Sequence, residues 1–114
     1  MAHSAPQEGE KPLLLLCNTP DCKTATAIGE TLLAERAAAC VNILPACRSL
    51  YRWQGKVECD EEVPLFIKTT AAQMPACRRL IAAAHPYEVP EIIAVDICDG
   101  LPAYLDWIAA ECGD

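Results

Sequence analysis

The sequence contains no run of about 18 apolar residues, so no membrane-spanning helix is expected. Its first dozen residues, MAHSAPQEGEKP, hold no apolar core of a secretory signal. The expected location is therefore the cytoplasm, where thiols stay reduced. No CxxC occurs among the eight cysteines, and the nearest approach, Cys17 to Cys22, is spaced wrongly for a zinc knuckle or a redox dithiol. Most of the cysteines read instead as small buried hydrophobes. Basic side chains are few: nine face sixteen acidic ones, the net charge is −7, and Arg78-Arg79 is the only adjacent basic pair. A phosphate backbone would be repelled, and no nucleic-acid partner is expected. No nucleophile–base pair, phosphate loop or paired-carboxylate motif appears, so an enzyme is the least supported class.

What is present fits one domain. With 114 residues, 53% of them hydrophobic, the chain can bury a core but not two. Residues 1–12 are polar, show neither strand nor helix period, and read as a disordered tail before a single domain over 13–114. The dominant stretch is Cys40 to Thr70, CVNILPACRSLYRWQGKVECDEEVPLFIKTT, two long alternating strands around a turn at Gln54, Gly55 and Lys56. Its arms could each pair over about twice the usual strand of 5–6 residues, which carries the tip beyond the domain body. Tyr51 and Trp53 project from one face of the first arm, and a second copy of the chain is the simplest cover for them.

The remaining elements follow in order. Leu13 to Cys17 is a short apolar run, read as a strand buried on both faces. Thr19 is placed as the cap of a first helix, with Pro20 at its first position and Ile28, Leu32 and Leu33 as its inward stripe. Pro75 opens a second helix that turns Leu80 and Ile81 inward, and His85-Pro86 ends it. Glu91 to Cys98 is a further strand. Leu101, Tyr104, Leu105 and Ile108, with Trp107 beside them, give a short last helix. The order β-α-β-β-α-β-α predicts an α+β, ferredoxin-like split βαβ sandwich with a long central hairpin and an extra C-terminal helix. One sheet face is then left without cover, which again asks for a partner subunit.

Several segments are similar to one known family. Ala38-Ala39-Cys40-Val41-Asn42-Ile43, Ser49 to Lys56 (SLYRWQGK), Glu62 with Ile67-Lys68-Thr69-Thr70, His85 to Glu91 (HPYEVPE) and Tyr104-Leu105-Asp106-Trp107 together resemble the CutA family of divalent-cation tolerance proteins, in register over residues 13–112. The resemblance implies a homotrimer joined through long hairpins, and a role in copper binding and metal tolerance. It implies Cys17 and His85 as the metal ligands, with Ala84 standing where some members carry another histidine. Thiolate and imidazole suit copper, with zinc or another divalent cation less favoured. It also marks Tyr51, Trp53, Glu62, Lys68, Tyr87, Glu91 and Trp107 as candidates for a subunit interface or pocket. Other readings stay open: Cys17 as a small core residue, His85 as a helix-end cap, and the charged residues as solvated. A trimeric small-molecule sensor similar to the PII signalling proteins, or a trimeric assembly scaffold, are the alternative functions.

Overall fold

The computed structural model of the chain describes residues 8–113. Five strands and three helices alternate as β1 (Pro12–Thr19), α1 (Cys22–Ala34), β2 (Cys40–Ile43), β3 (Cys47–Trp53), β4 (Lys56–Thr70), α2 (Met74–Ala84), β5 (Ile93–Asp96) and α3 (Pro102–Glu111). The strands form one antiparallel sheet in the order β2-β4-β1-β5, with β3 also paired to β4. Each β-α-β crossover thus skips one strand, which is the ferredoxin-like arrangement expected. Alternation along the strands turns Leu13, Leu15, Cys17, Leu65 and Ile67 onto one face, where they pack on Ala25, Ile28, Leu32, Cys77 and Ile81 of the two helices. The opposite face carries Leu14, Leu16, Phe66, Ile93 and Val95, and the last three are 38%, 50% and 47% exposed. The apolar run of β1 is therefore fully buried on the helix side only.

The long hairpin exists, but its first arm is not one strand. It breaks at Leu44-Pro45-Ala46 into β2 and β3, both paired to β4. Pro45 has no N–H to give the ladder. Ile43 to Cys47 takes four residue steps where Leu65 to Glu62 takes three, so the first arm carries one extra residue. Such an extra residue moves every later side chain to the other face. Val41 and Ile43 accordingly share the helix side with Ile67 and Leu65, whereas Ser49, Tyr51 and Trp53 share the far face with Glu62. The tip is a two-residue turn with Gln54 at φ 49° and Gly55 at φ 81°, the paired positive values that match strand twist.

Several local expectations are corrected. Thr19 does not cap α1: it stays in the β1 ladder opposite Val63, and Asp21 is the cap, its Oδ1 accepting the Thr24 N–H at 2.7 Å. Leu33 is exposed because it lies one helical step past Leu32. On α3 only Ile108 is buried, while Leu101 and Tyr104 are exposed. β5 is shorter than Glu91 to Cys98: it runs from Ile93 to Asp96 and pairs with Leu13 to Leu16 of β1. The tail ends earlier than residue 12: Glu8–Glu10 forms a 3-10 turn, and the Lys11 carbonyl accepts the Ala71 N–H at 2.9 Å. The rest of the expected tail, residues 1–7, lies outside the described residues. All eight cysteines are free, but only Cys17 and Cys77 are core residues; Cys22, Cys59 and Cys98 are exposed because they lie at a helix start, on the hairpin and beyond β5.

Candidate functional site

β1 ends at Asn18 and Thr19, while β4 runs on past it into the hairpin. The segment after α2 crosses that end. Pro86 pushes His85 out of the helical region, to φ −84° and ψ 134°, so the chain leaves α2 toward β1. The buried His85 ring donates from Nε2 to the Asn18 carbonyl at 2.7 Å, and its Nδ1 accepts the Tyr87 N–H at 3.2 Å. Because a backbone N–H can only donate, this pair of bonds assigns the singly protonated ring with its hydrogen on Nε2. The Tyr87 ring packs on the imidazole with centroids 4.6 Å apart. Cys17, 1% exposed, directs its thiol to the same Asn18 carbonyl at 3.8 Å. Burial first, then the charges of Glu91 and Glu62, push this thiol up to about 12. The two expected ligands are thus brought together on one carbonyl, each holding a proton there.

On the far side of β1 from Cys17 lies a cleft of about 610 Å³, with Asn18, Tyr51, Trp53, Glu62, Tyr87 and Glu91 in its walls. Glu62 is only 7% exposed, and its Oε2 accepts the Tyr87 hydroxyl at 3.1 Å. Burial and then that bond push the Tyr87 phenol up to about 12. The Tyr51 hydroxyl donates to Asp60, and this bond pushes its phenol up to about 12 as well. Both hydroxyls are therefore committed to carboxylates at neutral pH. Five of the expected pocket residues, Tyr51, Trp53, Glu62, Tyr87 and Glu91, come together here. Lys68 does not; it lies far along β4, donating to Asn42 Oδ1 at 2.6 Å. Trp107 is on α3 beside Tyr104, with ring centroids 5.5 Å apart.

Residues that sequence reasoning missed include Asn18, whose part at the Cys17–His85 junction is played by a backbone carbonyl that no side-chain pattern advertises. Asp60 was within reach of it. Once the turn is set at Gln54-Gly55, Asp60 falls opposite Ser49, one alternation from Tyr51 on the same face. Glu88 also lines the cleft. Among the described residues, no three His, Cys, Asp or Glu side chains gather closely enough to hold a metal ion. In donor chemistry Cys17 and His85 fit a soft cation, and Glu62 and Glu91 supply a favourable field. Such an ion must first displace the Cys17 proton and free one imidazole nitrogen.

Fold and site together define a small ferredoxin-like protein, with a sulfur–imidazole pair behind an acidic, aromatic cleft. The match is to the CutA1 divalent ion tolerance protein family over residues 13–111, and the chain belongs to that family. The divalent-cation tolerance protein CutA of Thermus thermophilus is 44% identical over 100 residues, spanning 88% of this chain and 97% of that one. The crystal structure of CutA from Xylella fastidiosa superposes with a TM-score of 0.87 at 45% identity, covering 90% of this chain and 99% of that one. A protein from Archaeoglobus fulgidus, described as a periplasmic divalent cation tolerance protein CutA, superposes at 0.85 with 33% identity, over 88% and 97% of the two chains. No helix among the described residues is long and apolar enough to cross a membrane.

Proposed function

We propose that the protein serves divalent-cation tolerance by binding copper at Cys17 and His85, as a homotrimer in the cytoplasm, and that it is not an enzyme. The observation that carries this reading is the meeting of the Cys17 thiol and the His85 Nε2 on the Asn18 carbonyl, within the field of Glu91 and Glu62. Sulfur and imidazole nitrogen favour copper over zinc or other divalent cations. Two donors leave further coordination to water or to a neighbouring subunit. The trimer reading rests on the uncovered apolar face of Leu14, Leu16, Phe66, Ile93 and Val95, and on Tyr51 and Trp53 along the protruding hairpin. Eight unpaired thiols, three of them exposed, accord with a reducing compartment.

Titration with Cu(I) held in a competing chelator, on wild type, Cys17→Ala, His85→Ala and the double variant, tests the site. Each single change should weaken binding, and the double variant should lose less than the sum. Equal affinity in all four proteins would end the proposal. Because the Cys17 thiol must give up its proton to bind, affinity should also fall as the pH is lowered. Sedimentation equilibrium should give three times the 12.3 kDa chain mass, and a mass of one chain would sink the trimer.

A further inference from the structure

We propose that Cys77 and Cys112 form a second, separate copper site, which holds one Cu(I) ion between two sulfurs at the end of β4 away from the hairpin. Cys77 on α2 and Cys112 just past α3 approach a single hydroxyl: Thr69 Oγ1 is 3.8 Å from the first sulfur and 3.9 Å from the second. Thr69 pairs with Leu13 at the start of β1, whereas Cys17 lies near its end, so the pair stands clear of the Cys17–His85 junction and does not rest on it. Thr69 also follows Leu65 and Ile67 on the helix face of the sheet, behind the face that a neighbouring subunit would cover. Thr69 and Cys77 are fully buried within one chain, and assembly does not alter their surroundings.

The donor set selects the ion. Soft thiolate sulfur favours Cu(I), and a structural zinc takes four ligands, but among the described residues no third His, Cys, Asp or Glu joins the pair. Cu(I) needs less, because two sulfurs in line satisfy this soft, closed-shell ion. Binding exchanges two thiol protons for one Cu⁺ and leaves a single negative charge on the pair. The surroundings are built to carry it. Burial keeps both thiols protonated before metal arrives, while the Thr69 hydroxyl, the Arg36 guanidinium and the Thr70 N–H favour the Cys112 thiolate against that burial. Arg36 is fixed at this spot by the same turn of chain: its Nε donates to the Gly113 carbonyl at 2.5 Å and its Nη2 to the Ala110 carbonyl at 3.0 Å. Cys77 can lose its proton without orphaning its acceptor, since the Ala37 carbonyl that takes the thiol at 3.2 Å also takes the Thr69 hydroxyl at 2.5 Å. Cys112, the partly exposed member, is where the ion enters.

The test uses the full chain under exclusion of air, with Cu(I) held in a competing chelator. Copper added to wild type should move the amide signals of Thr69, Cys77, Cys112 and Gly113 in a ¹H–¹⁵N spectrum, apart from any movement at Cys17 and His85. Cys17→Ala removes the first site and should still take up one Cu(I) per chain. Adding Cys112→Ser to it should weaken that uptake about a hundredfold or more, because Cys77 alone loses the chelate. Adding Cys98→Ser, at an exposed thiol, should leave it unchanged. Zn²⁺ should not displace the copper. Unchanged uptake without Cys112, an equal loss on removing Cys98, shifts confined to other residues, or displacement by Zn²⁺ would each overturn the proposal. Failure of the Cys17–His85 reading leaves a different trace: wild type and Cys17→Ala would then bind alike, while the dependence on Cys112 stands. The wild-type spectrum needs no variant, so it decides the matter even if a cysteine variant fails to fold.

Discussion

His85 ties three segments together, and His85→Ala measures how much that junction contributes. The ring accepts from Tyr87 N–H at 3.2 Å, donates to the Asn18 carbonyl at 2.7 Å and packs on the Tyr87 ring at 4.6 Å. Leaving a buried polar group without its partner costs about 1–3 kcal/mol, and a tilted aromatic pair contributes about 0.5–1.5 kcal/mol. The cleft lies close by, so water can enter the space left by the ring and recover part of the two bonds. The expected loss is therefore about 2–4 kcal/mol rather than the full sum. His85→Gln retains an amide that can donate to the Asn18 carbonyl, and should recover about half of it. The assay is urea unfolding in chelator-treated buffer, with all proteins at one concentration, because the apparent stability of an assembling protein depends on that concentration. The slope should be unchanged, so that the shift in midpoint reports stability alone. A loss below about 0.5 kcal/mol for His85→Ala would refute the reasoning, since it would mean that neither bond holds the segment after α2 against β1.

Two further outcomes follow from single residues. Burial and the Glu91 and Glu62 charges raise the Cys17 thiol from 9.0 to about 12, so its contribution is fully present below pH 9 and is lost as pH climbs toward 12. At about 1.36 kcal/mol per unit this amounts to at most about 4 kcal/mol, and Cys17→Ala should show a visibly shallower alkaline fall in stability, the remainder coming from Cys77, Cys112 and the two raised phenols; parallel curves would contradict it. A Cβ on Gly55 would meet nothing within 4 Å, so Gly55→Ala costs only the strain of φ 81°, about 1–2 kcal/mol by thermal unfolding, with Gly55→Asn costing less, and an alanine variant as stable as wild type would show that the turn can relax.

The elements were legible where local chemistry decides them. Alternation around Gly55 marked the hairpin, Pro75 marked the start of α2, and His85-Pro86 marked its end. Thr19 misled because two good capping residues stand two apart, and which one caps depends on how far β1 pairs with β4, a tertiary fact. The cysteines misled for a similar reason: type alone favours burial, but a residue's place on the sheet or hairpin decides it.

The site was half legible, and the reason lies in register. Lys68 and Glu62 read alike as charged residues of one long strand, yet they stand six residues apart, about 20 Å at about 3.3 Å per residue, and only Glu62 reaches the cleft. Tyr51 and Trp53 share a face whatever the pairing, but which face depends on the single extra residue at Leu44-Pro45-Ala46. Without it they would turn toward the side of α1 and α2. With it they join Glu62 and Asn18, so that a proline placed to interrupt a strand is also what assembles an aromatic and acidic wall. Cys17 and Asn18, adjacent in sequence, then face opposite sides of β1: the thiol meets the imidazole behind the strand, and the cleft opens in front of it. Alternation places the two chemistries back to back, with the Asn18 carbonyl as the atom on which Cys17 and His85 meet.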